Sequence, residues 1–208
     1  APQVAGPDRD PDPLADLEHW LPALPRPEPA AAPSAAGTVP VVAPAEPPAL
    51  VLDVLLVDPD AMDEGSRTEI TALIASRARA VTDVYGGASA TLPGRGVRLQ
   101  LPDETLDGRG NALCAAWVLR ALVTGRDRFD ADAPVTLHLM PWTDAEAEPE
   151  PGATPPGTIA VDDTLWNDLP LDQLEAEDLD DGTGVVYEVR GELRTVLTRQ
   201  FQYLNRSA

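Results

Sequence analysis

The sequence contains no lysine, because all 15 of its basic residues are arginines. This absence excludes enzymes that depend on a lysine, such as P-loop nucleotide hydrolases, Schiff-base enzymes and hydrolases with a serine–lysine pair. A single cysteine, Cys114, excludes a disulfide framework within the chain. Aromatic residues make up only 4% of the sequence and 23 residues are prolines. These features indicate a core that is small for a chain of 208 residues.

Positive charge is also scarce, since 35 acidic residues outnumber the arginines and the formal net charge is −20. An acidic balance of this size argues against a nucleic-acid binder and against an anionic membrane surface as a partner. The longest apolar run, Ala49–Val57, is interrupted by Asp53, so no segment resembles a membrane span. The composition therefore favours a soluble protein, with a cytoplasmic location preferred over a particle-associated or exported one.

Residues 1–49 are predicted to form an extended arm, because 13 of the 23 prolines fall within the first 50 residues. Stretches rich in Pro, Ala and Asp favour polyproline II and do not bury a core. The segment 14–24 differs, since its apolar residues recur at three- to four-residue spacing. These residues are Leu14, Leu17, Trp20, Leu21 and Leu24. The spacing predicts a short helix that docks in a groove of a partner or folds back onto the chain's own domain.

Residues 50–206 are predicted to form one α+β domain, in which a buried helix packs on a small, mainly antiparallel sheet. Short β-branched or alternating runs predict four strands between residues 50 and 161. They are 50–57, 97–101, 134–141 and 158–161. A capping box from Ser66 to Glu69 predicts the start of a helix that ends at Gly86.

The central helix of this domain is predicted over Ala112–Val123, which is apolar on every face except at Arg120. An acidic, proline-rich loop is predicted over 143–157. A weak helix over Leu171–Leu179 and a C-terminal β-hairpin over 185–201 complete the prediction.

The stretch from Val97 to Val123 is the most informative part of the sequence. It combines a short strand, the turn Pro-Asp-Glu-Thr-Leu, the pair Gly110-Asn111 and the apolar helix. This order resembles the core of the transglutaminase-like (cysteine peptidase-like) superfamily, and the resemblance extends over roughly residues 66–164. It implies a cysteine in the first turn of the helix, where the helix N-terminus lowers a thiol pKa, with a histidine base and an acidic residue that orients it.

Other residues occupy the catalytic positions that this resemblance implies. Ala112 stands at the position of the nucleophile and Thr143 at that of the base. The sequence is thus similar to a family member that has lost its catalytic residues. An alternative register places Cys114 in the first turn of the helix, with His138 as the base and Asp162 as the acidic member, and implies a thiol-dependent hydrolase or acyl transferase.

Five arginines flank the central helix. They are Arg95, Arg98, Arg109, Arg126 and Arg128. They would either line a site for an anionic ligand or, in the simpler interpretation, pair with the abundant acidic residues. No cofactor and no metal site is expected from the sequence.

The favoured functional hypothesis is a non-catalytic module for protein binding or assembly. In this hypothesis the arm docks on a protein partner or on a neighbouring subunit of a homo-oligomer. Two alternatives remain open at this point, namely the enzyme built on Cys114 and a structural subunit of a larger particle.

Overall fold

The computed structural model describes residues 50–103, 108–142, 154–179 and 183–207. The arm 1–49 with its segment 14–24 lies outside the described residues, as do Thr143 and most of the loop predicted over 143–157. Within the described ranges, seven strands form one sheet. They are β1 Leu50–Leu56, β2 Ala88–Leu92, β3 Gly96–Leu101, β4 Val135–Pro141, β5 Ile159–Val161, β6 Leu174–Asp178 and β7 Gly184–Val189. The α-helices are α1 Glu64–Tyr85, α2 Gly108–Thr124, α3 Asp163–Trp166 and α4 Gly191–Ser207.

The strand order of the sheet is β2-β3-β1-β4-β5-β7-β6. Neighbouring strands are antiparallel except β4 and β5, which run parallel. The helix α1 connects β1 to β2, and β3 lies between these two strands, which is a split βαβ arrangement. The predicted fold class, α+β with a mainly antiparallel sheet, is confirmed.

The central strand β1 is buried along its whole length. Side chains alternate between the two faces of a strand, so one set of its residues joins the core under the helices and the other set points away from it. The first set is Leu50, Leu52, Val54 and Leu56. The second set is Val51, Asp53 and Leu55. We call the side of the sheet that carries the first set the helical face and the opposite side the far face.

The helix α2 lies at the centre of the core, as the sequence predicts. It contacts β1 and β4 as well as α1 and α4, and 12 of its 17 residues are buried. It begins at Gly108, four residues before the predicted start at Ala112. The sequence predicts that Gly110 and Asn111 precede the helix, but both are helical. A glycine costs a helix only about 1 kcal/mol relative to alanine, so it does not prevent the helix from starting earlier.

The start of α1 also differs from the prediction. The helix begins at Glu64, and its N-cap is Asp63 rather than Ser66. The carboxylate of Asp63 accepts hydrogen bonds from the backbone N of Ser66 at 2.9 Å and from its hydroxyl at 2.6 Å. An ionised carboxylate is a stronger acceptor than a hydroxyl, so the serine serves as donor in a turn capped by the aspartate.

The prediction is wrong in the C-terminal part of the domain. A helix is predicted over Leu171–Leu179, but a short 3₁₀ turn there leads into the strand β6. The predicted hairpin over 185–201 is half correct, since β7 is a strand whereas the second half belongs to α4. The apolar side chains of α4 recur at helical spacing, and Leu197 and Leu204 enter the core. The hairpin partner of β7 is therefore β6, which precedes it.

Candidate functional site

Cys114 lies almost two turns into α2 rather than in its first turn, because the helix already begins at Gly108. Its side chain is half-buried and packs against the core, near enough to Tyr85 of α1 for the two groups to interact electrostatically. Burial raises the pKa of the Cys114 thiol to about 12. At neutral pH the group is therefore a protonated thiol, which is a poor nucleophile.

His138 lies in the middle of β4, and its neighbours Leu137 and Leu139 belong to the core under the helices. Its imidazole is consequently on the far face. It is in register with Asp53 of β1, and its Nε2 lies 3.5 Å from the hydroxyl of Thr136. Burial lowers the pKa of His138, and the nearby Asp53 carboxylate acts in the opposite direction. The imidazole is therefore neutral at pH 7.

Asp162 directly follows β5 and is the N-cap of the short helix α3. Its Oδ1 accepts hydrogen bonds from the backbone N of Thr164 at 2.9 Å and from the Thr164 hydroxyl at 2.6 Å. Its own backbone N donates to the carbonyl oxygen of Leu139 at 3.0 Å, which ties the end of β5 to β4. The carboxylate is thus engaged in capping a turn.

The three residues of the alternative enzyme hypothesis do not form one site. Cys114 is part of a helix that packs on the helical face, whereas the His138 imidazole is on the far face. The sheet therefore lies between the thiol and the imidazole. The position that the family resemblance assigns to the nucleophile, Ala112, is a buried residue in the second turn of α2.

A polar row that the sequence analysis missed crosses the middle of the sheet. Asp53 of β1 is in register with Arg98 of β3 on one side and with His138 of β4 on the other. The guanidinium of Arg98 donates from Nε to Oδ1 and from Nη2 to Oδ2 of Asp53, each at 2.7 Å. Asp53 has no exposed surface. The only sequence signal of this row is a charged residue within the apolar run 49–57.

The polar row consists of a bidentate ion pair between Arg98 and Asp53, with the neutral imidazole of His138 beside it. The hydrogen bond to Asp53 raises the pKa of Arg98, although burial opposes the shift. Charge-assisted, bidentate bonds of this kind are among the strongest hydrogen bonds in proteins. Both oxygens of the carboxylate accept a hydrogen bond from the guanidinium, so the pair ties β1 to β3.

A second polar cluster surrounds Arg120, a buried charged residue in the C-terminal half of α2. Its Nη1 donates to the carbonyl oxygens of Tyr187 at 2.5 Å and of Gly157 at 3.4 Å, and its Nη2 lies 3.7 Å from Oε1 of Glu188. The guanidinium carbon is 5.6 Å from the centre of the Trp117 ring. Burial lowers the pKa of Arg120, and the charge of Glu188 acts against this. These contacts join α2 to β7 and to the turn before β5.

Three of the five arginines that the sequence places around the central helix form ion pairs with acidic residues, and one of the three, Arg109, lies within the first turn of α2. The pairs are Arg98–Asp53, Arg109–Asp168 and Arg126–Asp130. For these three, the interpretation that they pair with acidic residues is confirmed.

In the part of the chain that the structure describes, no three side chains of His, Cys, Asp or Glu are grouped so as to hold a metal ion. No helix within the same ranges is both long enough and apolar enough to cross a bilayer.

Comparison with known proteins adds little to this geometry. No family model and no curated protein matches the sequence. Among solved structures, the chain is similar to the guanylyl cyclase Cya2, with a TM-score of 0.42 and 13% identity over 69% of this chain and 92% of that chain. A likeness with so low a TM-score carries no argument about function. The resemblance to the transglutaminase-like superfamily is not tested by these comparisons and stays a prediction.

Proposed function

We propose that the protein is a non-catalytic module for protein binding or assembly, and that its N-terminal arm docks on a protein partner or a neighbouring subunit. The observation that carries the first part is the position of Cys114 and His138 on opposite sides of the sheet. A thiol enzyme needs its nucleophile within hydrogen-bond reach of its base, at about 3 Å. The separation of the two groups by the sheet therefore supports a role that does not use this thiol and imidazole in catalysis.

The surroundings of Cys114 support the same proposal. A catalytic cysteine is activated by a lowered pKa, usually at a helix N-terminus or beside a cation. The pKa of Cys114 is instead raised to about 12 by burial. The helix that carries it is packed on several sides, so it has no freedom to rotate the thiol towards the far face. A free cysteine in such a place serves as a small apolar side chain.

The second part of the proposal rests on the pattern of the arm. Apolar residues recur at helical spacing between 14 and 24, so on a helix they would share one stripe, and they include Trp20, a residue type that often anchors interfaces. Asp16 and Glu18 lie within the same segment. A helix with an apolar stripe and acidic flanks fits a partner whose groove is apolar with a basic rim.

Two triple variants of the full chain test the docking. The first replaces the stripe by L17A, W20A and L21A, and the second replaces polar residues of the same segment by D16A, E18A and H19A. Each is purified from the cells that make the protein, and the proteins recovered with it are quantified by mass spectrometry. We expect the stripe variant to lose at least about tenfold of the bound partner, since truncating two or three anchors removes several kcal/mol.

The control variant should keep most of its partner, because it leaves the apolar stripe intact. Equal recovery of the same partner by both triple variants would show that the segment 14–24 does not dock through its apolar residues. Stronger loss in the control variant would indicate a purely electrostatic contact and would also overturn the proposal for the arm.

A further inference from the structure

The two edges of the sheet differ in how they are protected against pairing with another strand. The edge strand β6 carries the exposed acidic residues Glu175, Glu177 and Asp178, and its pairing with β7 is interrupted by a bulge between Glu175 and Ala176. Charged side chains and bulges are the features by which natural proteins keep edge strands from pairing. The β6 edge is therefore closed to strand addition.

The opposite edge, β2, has none of these features. Its sequence is Ala-Ser-Ala-Thr-Leu, with no charge and no proline, and it pairs with β3 without a bulge. Its first four residues, Ala88 to Thr91, are exposed. Among the described residues, no strand pairs with its outer side. An exposed strand of small, uncharged residues presents free backbone N–H and C=O groups to any second strand.

The charge around β2 also differs from that of the rest of the chain. Between Asp83 and Asp103 the sequence contains no acidic residue, although the whole chain carries a net charge of −20. Two copies of such an acidic protein repel each other over most of their surfaces. The hairpin of β2 and β3 is a region where two copies approach without placing carboxylates opposite each other.

We propose that β2 pairs in antiparallel orientation with β2 of a second copy of this chain and joins the two sheets into one. The inference rests on the proposed function as a binding and assembly module, and it names a second copy as the partner at this edge. A two-fold axis through Ala90 places Ala88 opposite Leu92 and Ser89 opposite Thr91 of the other copy. Every pair in this register is uncharged and small enough for close strand approach.

Self-pairing of β2 fits the structure better than pairing of β2 with β6 of another copy. The latter is a head-to-tail contact, which adds copies into rings or filaments rather than forming a dimer. It would also use the acidic, bulged edge. Pairing of two β2 strands forms a closed dimer with a single interface. One pair of five-residue strands is smaller than a standard protein interface, so the dimer is weak, with a dissociation constant in roughly the micromolar range.

Charge substitutions at Ser89 and Thr91 test the pairing and its register in the full chain. In the proposed dimer these two positions lie opposite each other, so S89E/T91E and S89K/T91K place like charges in both cross-strand pairs. We expect each of these variants to raise the dimer dissociation constant by about tenfold or more. The variant S89E/T91K places opposite charges in both pairs and should keep or strengthen the dimer. Mixing the two like-charged variants should restore a dimer that contains one copy of each.

The measurement is sedimentation velocity over a range of concentrations, and circular dichroism shows whether each variant is folded. Both substituted positions are exposed, so all variants should unfold at a similar temperature. If one variant does not fold, the remaining like-charged and opposite-charged variants still decide between the outcomes. A wild-type chain that stays monomeric overturns the inference. So does a dimer that all variants share, or a species that grows beyond a dimer with concentration.

The outcome for this inference can be separated from the outcome for the proposed function. If the dimer is lost in the triple variant L17A, W20A and L21A but kept in the β2 variants, the copies meet through the arm and the inference about β2 is wrong. If the β2 variants dissociate while neither triple variant loses a partner, the inference holds and the proposed role of the arm is wrong.

Discussion

The guanidinium of Arg98 donates two hydrogen bonds, each 2.7 Å long, to the fully buried carboxylate of Asp53 on the neighbouring strand. This pair places a positive and a negative charge near the middle of the sheet, next to the apolar core residues of β1. A buried charge is tolerated only when its partner and its hydrogen bonds are in place. The register between β1 and β3, which brings the two residues face to face, is thereby coupled to the stability of the fold.

Replacing Arg98 with methionine keeps much of the side-chain volume but leaves the Asp53 carboxylate without its partner. We expect the free energy of unfolding to fall by about 3–5 kcal/mol, the usual range for breaking a buried pair. Urea denaturation followed by circular dichroism measures the change. The control is R190M, since Arg190 and Glu175 pair with 60% and 55% of their side chains exposed. The R190M substitution should lower the free energy of unfolding by less than about 1 kcal/mol.

A double variant, D53L/R98M, distinguishes loss of the pair from loss of packing. It removes both charges, so no unpaired carboxylate remains in the sheet. We expect it to be more stable than R98M alone, by about 1 kcal/mol or more. Equal losses in R98M and R190M, or a double variant less stable than R98M, would contradict the role of this pair.

Gly184 of β7 has no space for a side chain, because the ring of Trp166 covers it. A Cβ at this position would lie 2.0 Å from Cε3 of the ring. We therefore expect G184A to lower the free energy of unfolding by about 1–3 kcal/mol, as overpacking usually does. The control is G110A in α2, where a Cβ would meet no atom within 4 Å. The G110A substitution should raise the free energy of unfolding by about 0.5–1 kcal/mol, because alanine favours the helix more than glycine does.

Thermal unfolding of both glycine variants checks this contrast, because the melting temperature should fall for G184A and rise for G110A. The double variant G184A/W166L should recover part of the loss, since leucine does not reach as far over the strand. Changes of the same sign in both single variants would rule out the described packing of Trp166 on β7.

The burial of His138 predicts a specific dependence of stability on pH. Its pKa in the folded state is lowered from the usual 6.5, mainly by desolvation. As the pH falls, the unfolded chain therefore takes up a proton on His138 at a higher pH than the folded protein does. The contribution of His138 to stability is present above pH 6.5 and is lost as the pH falls through the lowered pKa of the folded state. As the pH is lowered from 6.5 through the pKa of His138 in the folded state, we expect the free energy of unfolding to fall less for H138Q than for the wild type.

Proton NMR gives a direct measurement of the same property. The chain has two histidines, and the variant H19Q leaves only the signal of His138. This signal should titrate with a midpoint below 6.5. A midpoint at or above 6.5 would mean that the imidazole is solvated or charged in the folded protein.

Elements with a strong local signal were predictable from the sequence. The apolar run of β1 and the apolar helix α2 are where the sequence places them, because burial on two faces requires continuous apolar stretches. The strand β2 was not predictable, since alanine and serine have little preference for strands and the strand is exposed. Its conformation depends on pairing with β3, which is a tertiary contact. The segment of α4 was mistaken for a strand because only one residue, Arg190, separates it from the strand β7.

The polar row across the sheet shows why the site was harder to predict than the fold. Asp53 and Arg98 are 45 residues apart in the chain, and only the strand order and register place them side by side. The same register places His138 next to Asp53 and away from Cys114. The alternative enzyme hypothesis placed a thiol and an imidazole in one site on the strength of residue types and spacing alone. The start of α2 and the alternation of β4, both set by tertiary structure, separate them.

Alkylation by iodoacetamide in the folded full chain at neutral pH tests most directly the central proposal, that Cys114 is not a catalytic thiol. With a pKa of about 12, the thiol should react at least about a hundredfold more slowly than free cysteine. It should react at the ordinary rate in denaturant, and H138Q should leave the rate in the folded chain unchanged. A folded chain that reacts faster than free cysteine, and is slowed by H138Q, would contradict the account.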